Sequence, residues 1–336
     1  MSMVIDAYAH VFPMRLIDAL AEVKPSAELA ALKAQSKHNF EHEGRLAYMD
    51  EHGFDLQVLV LARPPVWLGM QRPDIHRLTR VANESIAEFA SRRPDRFAGI
   101  GVMPVVDDVM MDELERVHGE LGLKGVLIFS NIEGKPLDDA SMWPLYERCA
   151  ALDFPIWIHP QHANYYPWIR KDVLDRALAW PFDTSLAMAR LVYGGLFERY
   201  PDIKIVTHHM GGMIPYFASR LAAFAETTAE EYAKLGLGES GPQLTGAPLD
   251  HFRRFYNDAI SNGSPAAVRM AIDFFGADHI MFGTDFPFGP DDGERWPLDE
   301  LRNIKTIAMS EEDRAKILYR NAQRLLKLPT GVARGV

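Results

Sequence analysis

Short apolar runs and longer amphipathic stretches alternate along the chain. Eight runs are rich in apolar and β-branched residues, namely Met3–Tyr8, Leu56–Ala62, Phe97–Met103, Lys124–Phe129, Phe154–His159, Ile203–His208, Arg254–Asp258 and His279–Gly283. Continuous apolar runs of this length are typical of strands that are buried on both faces, as in a parallel sheet. The pattern therefore predicts eight buried strands.

The stretches between these runs have helical spacing. In Ile75–Arg93, for example, Val81, Ile86 and Phe89 fall on one side and charged residues on the other. Further helices are predicted at Asp112–Leu121, Ser141–Leu152, Thr184–Arg199 and Pro265–Phe275. This alternation predicts an α/β fold, a closed (β/α)₈ TIM barrel. A doubly wound open sheet is the alternative, but such sheets usually carry a glycine-rich phosphate loop, which is missing here.

Several segments exceed what a minimal barrel needs. Three are interpreted as insertions, the first two as lids over a site: Val23–His42, Gln161–Ala179 and Thr227–Pro248. The tail Ser310–Leu328 begins with a serine and two glutamates, which favour the start of a helix. We therefore expect residues 1–336 to form one barrel domain with inserted lids and a C-terminal helix.

Composition narrows the class of protein. The chain has 336 residues, 48% of them apolar, and its single cysteine, Cys149, excludes an internal disulfide and favours a reducing compartment. The first ten residues lack the features of a secretory signal, and no run approaches the ~20 apolar residues of a membrane span. A net charge of −10 disfavours nucleic acid and anionic membranes as partners. We expect a cytoplasmic enzyme that acts on a small molecule.

Reactive groups of such barrels lie at the carboxyl ends of the strands. Of the twelve histidines, five fall at or just after a predicted strand end: His10, His159, His162, His208 and His209. Asp285 follows the eighth strand in FGTDFPFG. Two imidazoles and one carboxylate, from His10, His159 and Asp285, indicate a site for zinc, manganese or a similar divalent ion.

The sixth strand ends in the motif THHMGG. Because side chains alternate along a strand, His208 and His209 are expected to point in different directions. We expect His209 to face the site as general acid or base, since imidazole titrates near neutral pH. His208 is expected to bind substrate or to support the site.

These motifs, in this order, resemble the amidohydrolase superfamily, and within it the branch typified by aminocarboxymuconate semialdehyde decarboxylase. The resemblance runs from Ile5 to Leu328 and rests on ID-x-x-x-H, IWIHP, PDIKIVTHHMGG, FGTDFPFG and NAQRLLKL. It implies a divalent metal bound by an H-x-H motif, the strand-five histidine and the strand-eight aspartate. Carried over to this chain, His10, His159 and Asp285 are metal ligands and His209 is catalytic. The resemblance also implies a homodimer.

One position departs from the family pattern. Tyr8 stands where the first histidine of H-x-H is expected. A neutral phenol with a pKa of about 10 is a poor metal ligand. The metal is then held by three protein ligands plus water or substrate, or it binds weakly, or the site is metal-free and Tyr8 donates a hydrogen bond to the substrate. We expect the metal to be retained.

The resemblance implies a lyase, a metal-assisted decarboxylase of an aromatic or conjugated ring-derived acid. Asp285 or His209 would deliver the proton. Arg63 could bind the substrate carboxylate or form a surface ion pair. Several aromatic residues could form a dry pocket or serve in packing, namely Trp67, Tyr165, Tyr166, Trp168 and Trp180.

Two other functions stay open at this point. A hydrolase or hydratase could use the same barrel, with or without a metal. A catalytically silent barrel that only binds a ligand is the third hypothesis, and the presence of all four candidate site residues argues against it.

Overall fold

The computed structural model describes residues 3–25, 29, 41–61, 69–161, 167–225, 229–236 and 244–328. Eight strand positions alternate with helices. The strands are β1 Ile5–Val11, β2 Leu56–Leu61, β3 Phe97–Gly99 with its continuation Gly101–Val102, β4 Val126–Phe129, β5 Ile156–His159, β6 Ile205–Thr207, β7 Tyr256–Asp258 and β8 Ile280–Met281. Each strand pairs in parallel with the next one in the chain. A short antiparallel hairpin, Asn131–Ile132 with Lys135–Pro136, follows β4.

The sheet closes between its first and last strands. The Ala7 amide donates to the Phe282 carbonyl at 2.8 Å, and the Asp285 amide donates to the Tyr8 carbonyl at 3.0 Å. Closure removes the free edges of the sheet, and the residues of all eight strands are almost entirely buried. The predicted TIM barrel is therefore confirmed.

The helices surround this barrel. They are Met14–Val23, His42–His52, Arg72–Ser91, Asp108–Gly119, Trp143–Ala151, Trp180–Tyr193, Leu196–Arg199, Ile214–Ala225, Ala229–Leu235, Pro248–Phe252, Pro265–Phe275, Arg295–Thr306, Glu311–Ala315 and Asn321–Leu326. The helix predicted to begin at Asp112 begins four residues earlier, because the Asp107 carboxylate accepts from the Met110 amide at 3.0 Å and caps it.

The C-terminal helical segment holds β8 in place. The Ser310 hydroxyl accepts from the Asp313 amide at 3.0 Å, which confirms the predicted cap. Further along, the Asn321 side chain donates to the carbonyls of Ala277 and Ile280 at 2.7 and 2.8 Å. The tail therefore anchors the strand that leads to Asp285.

Two expectations need correction or restriction. The first strand was predicted to end at Tyr8, but it continues to Val11, because its register with β2 extends to the pair Val11–Leu61. Parts of the three insertions lie outside the described residues, at 26–28, 30–40, 162–166, 227–228 and 237–243. Among the described helices, none has the length and apolar character that crossing a membrane requires.

Candidate active site

Three of the predicted residues meet where β1, β5 and β8 end. His10 Nε2 lies 2.8 Å from Asp285 Oδ1, and the rings of His10 and His159 have their centroids 5.7 Å apart. His10 and His159 are buried, whereas the Asp285 side chain is 16% exposed. Residues that are up to 275 positions apart in the sequence thus form one cluster at the mouth of the barrel.

The second ring nitrogen of His159 defines the state of this imidazole. Nδ1 lies 2.7 Å from the Pro160 carbonyl, and because a carbonyl only accepts, Nδ1 carries the proton. Burial lowers the pKa of His159 to about 3, so the ring is neutral. Nε2 therefore keeps a lone pair, as a metal ligand requires.

Asp285 is held in an uncommon backbone conformation, with φ of 62°. Burial by itself would raise its pKa, but the hydrogen bond and charge of His10 lower it to about 2. The carboxylate is therefore ionised. Nearby, a Cβ on Gly283 would stand 2.9 Å from the Cβ of Asp258 and 3.1 Å from that of Tyr8, so this position needs a glycine.

The side chains of His10, His159 and Asp285 are of the right chemical types to bind a divalent ion, but they are not arranged around a metal position. Two imidazoles and an ionised carboxylate are donors that zinc and manganese accept. As placed, no group of three His, Cys, Asp or Glu side chains among the described residues could hold a metal ion. His10 and Asp285 bond to each other instead. Metal binding would replace that hydrogen bond by bonds to the ion.

The paired histidines after β6 do not follow strand alternation. The strand ends at Thr207, and His209 and Met210 have φ of 50° and 56°, in the left-handed region. The rings of His208 and His209 lie side by side with centroids 4.3 Å apart, so the expectation of different directions was wrong. A turn has replaced the strand on which that expectation depended.

Asp258, at the end of β7, organises His209. Its two carboxylate oxygens both accept from the His209 amide at 2.9 Å, and His209 Nδ1 lies 3.7 Å from Oδ1. Burial alone would lower the pKa of His209, but the Asp258 carboxylate raises it above its ordinary value. The imidazole therefore keeps its proton to a higher pH than a free histidine.

Asp258 is a site residue that was not predicted from the sequence. Its strand was predicted correctly as far as Asp258, but the strand-end criterion was applied to histidines and to Asp285 alone. Applied to every carboxylate, the same criterion finds Asp258.

The remaining predicted residues divide into three groups. Tyr8 and His208 are buried beside His159, with ring centroids 6.4 and 5.8 Å from it, and Trp180 is half-buried with its ring 5.8 Å away. Trp168 is 63% exposed and therefore solvent-facing. The other residues named from the sequence lie outside the described part of the chain: Arg63, Trp67, His162, Tyr165 and Tyr166.

The hydrogen bonds of Tyr8 and His208 differ. His208 Nδ1 lies 2.8 Å from the Thr184 hydroxyl, while its Nε2 has no partner among the described residues. The Tyr8 hydroxyl likewise has no partner within the described ranges. Burial, and then the charges of Asp285 and Asp258, raise the pKa of Tyr8, so its side chain is a neutral phenol. Tyr8 and His208 thus each keep one buried polar side-chain atom without a partner among the described residues.

A comparison with known protein families identifies the family of this chain. The chain matches the amidohydrolase family over residues 5–328 and belongs to that family. It is 34% identical over 304 residues to γ-resorcylate decarboxylase of Polaromonas sp. strain JS666, covering 84% of this chain and 86% of the relative.

Two further comparisons extend this result. The chain is 30% identical to 2-amino-3-carboxymuconate-6-semialdehyde decarboxylase of Dictyostelium discoideum, covering 82% of this chain and 74% of the relative. A solved structure, dihydroxybenzoic acid decarboxylase of Polaromonas sp. JS666 with bound manganese and the inhibitor 2-nitroresorcinol, superposes with a TM-score of 0.76 at 28% identity, over 98% of both chains. The family and branch predicted from the motifs are confirmed.

Proposed function

We propose that this protein removes the carboxylate from an aromatic acid that carries a neighbouring hydroxyl group, and that γ-resorcylate (2,6-dihydroxybenzoate) represents the substrate class. The chain is an amidohydrolase-family decarboxylase, in agreement with the expectation from its sequence. The observation that carries the proposal is the cluster of His10, His159 and Asp285 at the barrel mouth, with His209 joined to it through the His208 ring. The chain that carries this cluster is similar to a γ-resorcylate decarboxylase over most of its length.

Three residues would hold a divalent cofactor, manganese or zinc. His159 offers a free Nε2, Asp285 an ionised carboxylate and His10 a second imidazole. Manganese in a similar solved structure supports this assignment. When bound there, such an ion would supply Lewis-acid stabilisation of the negative charge that develops on substrate oxygens.

His209 is the better of the two proton donors expected from the sequence. The reaction breaks the bond between the ring carbon and the carboxylate, releases carbon dioxide and forms a bond from that carbon to a proton. Asp285 is ionised and bonded to His10, so it carries no proton to give. His209 has a raised pKa, a 20% exposed side chain, and a backbone fixed by Asp258.

Three side chains complete the walls of the substrate pocket. Tyr8 and His208 flank His159, and Trp180 presents an aromatic surface beside it. Aromatic walls exclude water, which strengthens the electrostatic interactions within the pocket. A carboxylate contact by Arg63, a cytoplasmic location and a homodimer stay predictions.

The first experiment is elemental analysis of protein purified without chelator, on the wild type and His159→Ala side by side. We expect close to one manganese or zinc per wild-type chain and loss of that metal in the variant, because a ligand is removed. The exposed His118 provides the matched control, since His118→Ala should keep the metal.

The same preparations are then incubated with γ-resorcylate, and carbon dioxide release is measured. We expect release by the wild type and by His118→Ala and its loss in His159→Ala. A metal-free wild type that still releases carbon dioxide would remove the cofactor from the proposal. A metal-loaded wild type that leaves γ-resorcylate and related hydroxybenzoates intact would contradict the substrate class.

A further inference from the structure

We propose that the Tyr8 hydroxyl is a hydrogen-bond donor reserved for the substrate carboxylate, through which the site distinguishes the acid from its decarboxylated product. The inference rests on the proposed function, because it assumes that the ligand is an aromatic acid. It assigns Tyr8 to substrate recognition and leaves metal binding to other residues.

The Tyr8 side chain is buried together with its polar hydroxyl. Tyr8 is 1% exposed, and its hydroxyl has no hydrogen-bond partner in the described part of the chain. Buried tyrosine hydroxyls usually find a partner, because leaving one unpaired destabilises the fold. Tyr146 shows the usual case, since it is also fully buried and donates to the Leu137 carbonyl at 2.7 Å. The Tyr8 hydroxyl is therefore a buried donor without an acceptor among the described residues.

The Tyr8 ring lies among the candidate metal ligands. The Tyr8 ring meets the His10 ring edge to face at 5.1 Å and lies nearly parallel to the His159 ring at 6.4 Å. On the other side, the missing Cβ of Gly283 leaves room for the Cβ of Tyr8. The ring is packed between these neighbours, so the unpaired hydroxyl is held at the cluster that would bind substrate oxygens.

The substrate carboxylate is a suitable acceptor for the Tyr8 hydroxyl. A carboxylate only accepts hydrogen bonds, and a bond from a hydroxyl to an ionised oxygen is stronger than one between neutral groups. Decarboxylation destroys this acceptor, because the bond to the ring carbon breaks and carbon dioxide leaves uncharged while a proton takes its place. In the product complex the Tyr8 hydroxyl again lacks an acceptor. The acid is therefore bound more tightly than the product.

This arrangement predicts an effect on KM rather than on kcat. The hydrogen bond forms in the substrate complex, and nothing strengthens it as the carboxylate loses its charge. Interactions of that kind contribute to binding and leave the chemical step unaccelerated.

The test compares Tyr8→Phe with Tyr146→Phe, each of which deletes one buried hydroxyl. Dissociation constants for γ-resorcylate and resorcinol are measured in a His209→Gln background, which blocks turnover. For Tyr8→Phe we expect the dissociation constant of γ-resorcylate to rise about ten- to a hundredfold, the worth of a hydrogen bond to a charged group. That of resorcinol should change less than about twofold. In the enzyme that retains His209, Tyr8→Phe should raise KM and leave kcat nearly constant.

Two further measurements separate Tyr8 from a structural or metal-binding role. Tyr8→Phe should keep or raise the Tm, because an unpaired buried hydroxyl is removed, whereas Tyr146→Phe should lower the Tm and leave both dissociation constants unchanged. Manganese affinity, titrated into chelator-stripped protein, should be the same in Tyr8→Phe and wild type.

Three results would overturn the inference. An equal loss of affinity for γ-resorcylate and resorcinol in Tyr8→Phe would mean that the Tyr8 side chain does not recognise the carboxylate. A fall in manganese affinity would make Tyr8 a metal ligand. A Tm loss in Tyr8→Phe as large as that in Tyr146→Phe would show that the hydroxyl has a partner in the protein, and this result needs no substrate. Failure of the proposed function looks different, because the wild type itself would then neither bind nor decarboxylate γ-resorcylate.

Discussion

Two buried polar clusters in this molecule have opposite properties. The first lies between the helices Arg72–Ser91 and Asp108–Gly119. There the Asn83 amide donates to Glu113 at 2.9 Å, the Val102 amide donates to Asn83 at 2.7 Å, and Arg116 makes two bonds to Glu113 at 2.8 and 3.0 Å. Charged and amide groups here compensate one another within the chain. This cluster stabilises the packing of two helices against the barrel.

The second cluster, at the barrel mouth, is left incomplete. In this cluster four buried side-chain atoms have no hydrogen-bond partner among the described residues: Tyr8 Oη, His10 Nδ1, His208 Nε2 and His209 Nδ1. Non-glycine residues with positive φ stand beside them, at His209, Met210 and Asp285. Unpaired buried groups and strained backbone both cost stability, and both concentrate at functional sites. The helix-pair cluster is paired within the chain, whereas the barrel mouth keeps unpaired polar groups and strained backbone, in agreement with the ligand site that we propose there.

The largest effect is expected from His209→Gln, at the barrel mouth. If His209 delivers the proton, kcat should fall by about 10²–10⁴-fold, the usual contribution of a positioned acid. The Tm should stay near that of the wild type, because the side chain is not part of a complete hydrogen-bond network. Carbon dioxide release and thermal melting provide the two readouts. A lowered Tm with unchanged kcat would show that His209 stabilises the fold, as Asn83 does, and does not deliver the proton.

The matched test on the other cluster is Asn83→Ala. It leaves the Val102 amide unpaired and removes a donor from Glu113, so the free energy of unfolding should fall by about 2–4 kcal/mol. The Tm should drop with it, while kcat and KM of the folded fraction stay at wild-type values. Thermal melting and steady-state rates measured well below the Tm check both parts. A change in KM would mean that the Asn83 cluster also affects substrate binding at the barrel mouth.

The smallest effect is expected from Asp258→Asn, which sharpens the comparison within the mouth. The Asp258 carboxylate raises the pKa of His209, so its neutralisation lowers that pKa. Activity that needs protonated His209 is lost as the pH rises through this pKa, so the alkaline limb of the kcat profile should move to lower pH. Well below both pKa values the rates should converge. An unmoved limb would leave Asp258 with a backbone role only, through the His209 amide.

Local sequence determined much of this protein. Apolar runs and helical spacing located eight strands and the main helices, because burial on both faces or on one face leaves a periodic trace along the chain. The strand-end rule and the family motifs then located His10, His159, His209 and Asp285, since the carboxyl ends of barrel strands face one mouth.

Tertiary structure decided how those residues relate to one another. His10 and Asp285 stand 275 positions apart, and their hydrogen bond exists because closure of the barrel brings β1 beside β8. The turn at His209, the carboxylate of Asp258 behind it and the unpaired hydroxyl of Tyr8 likewise depend on neighbours from other strands. Periodicity records which face of a segment is buried. The groups that a buried side chain meets there are determined by the packing of distant segments.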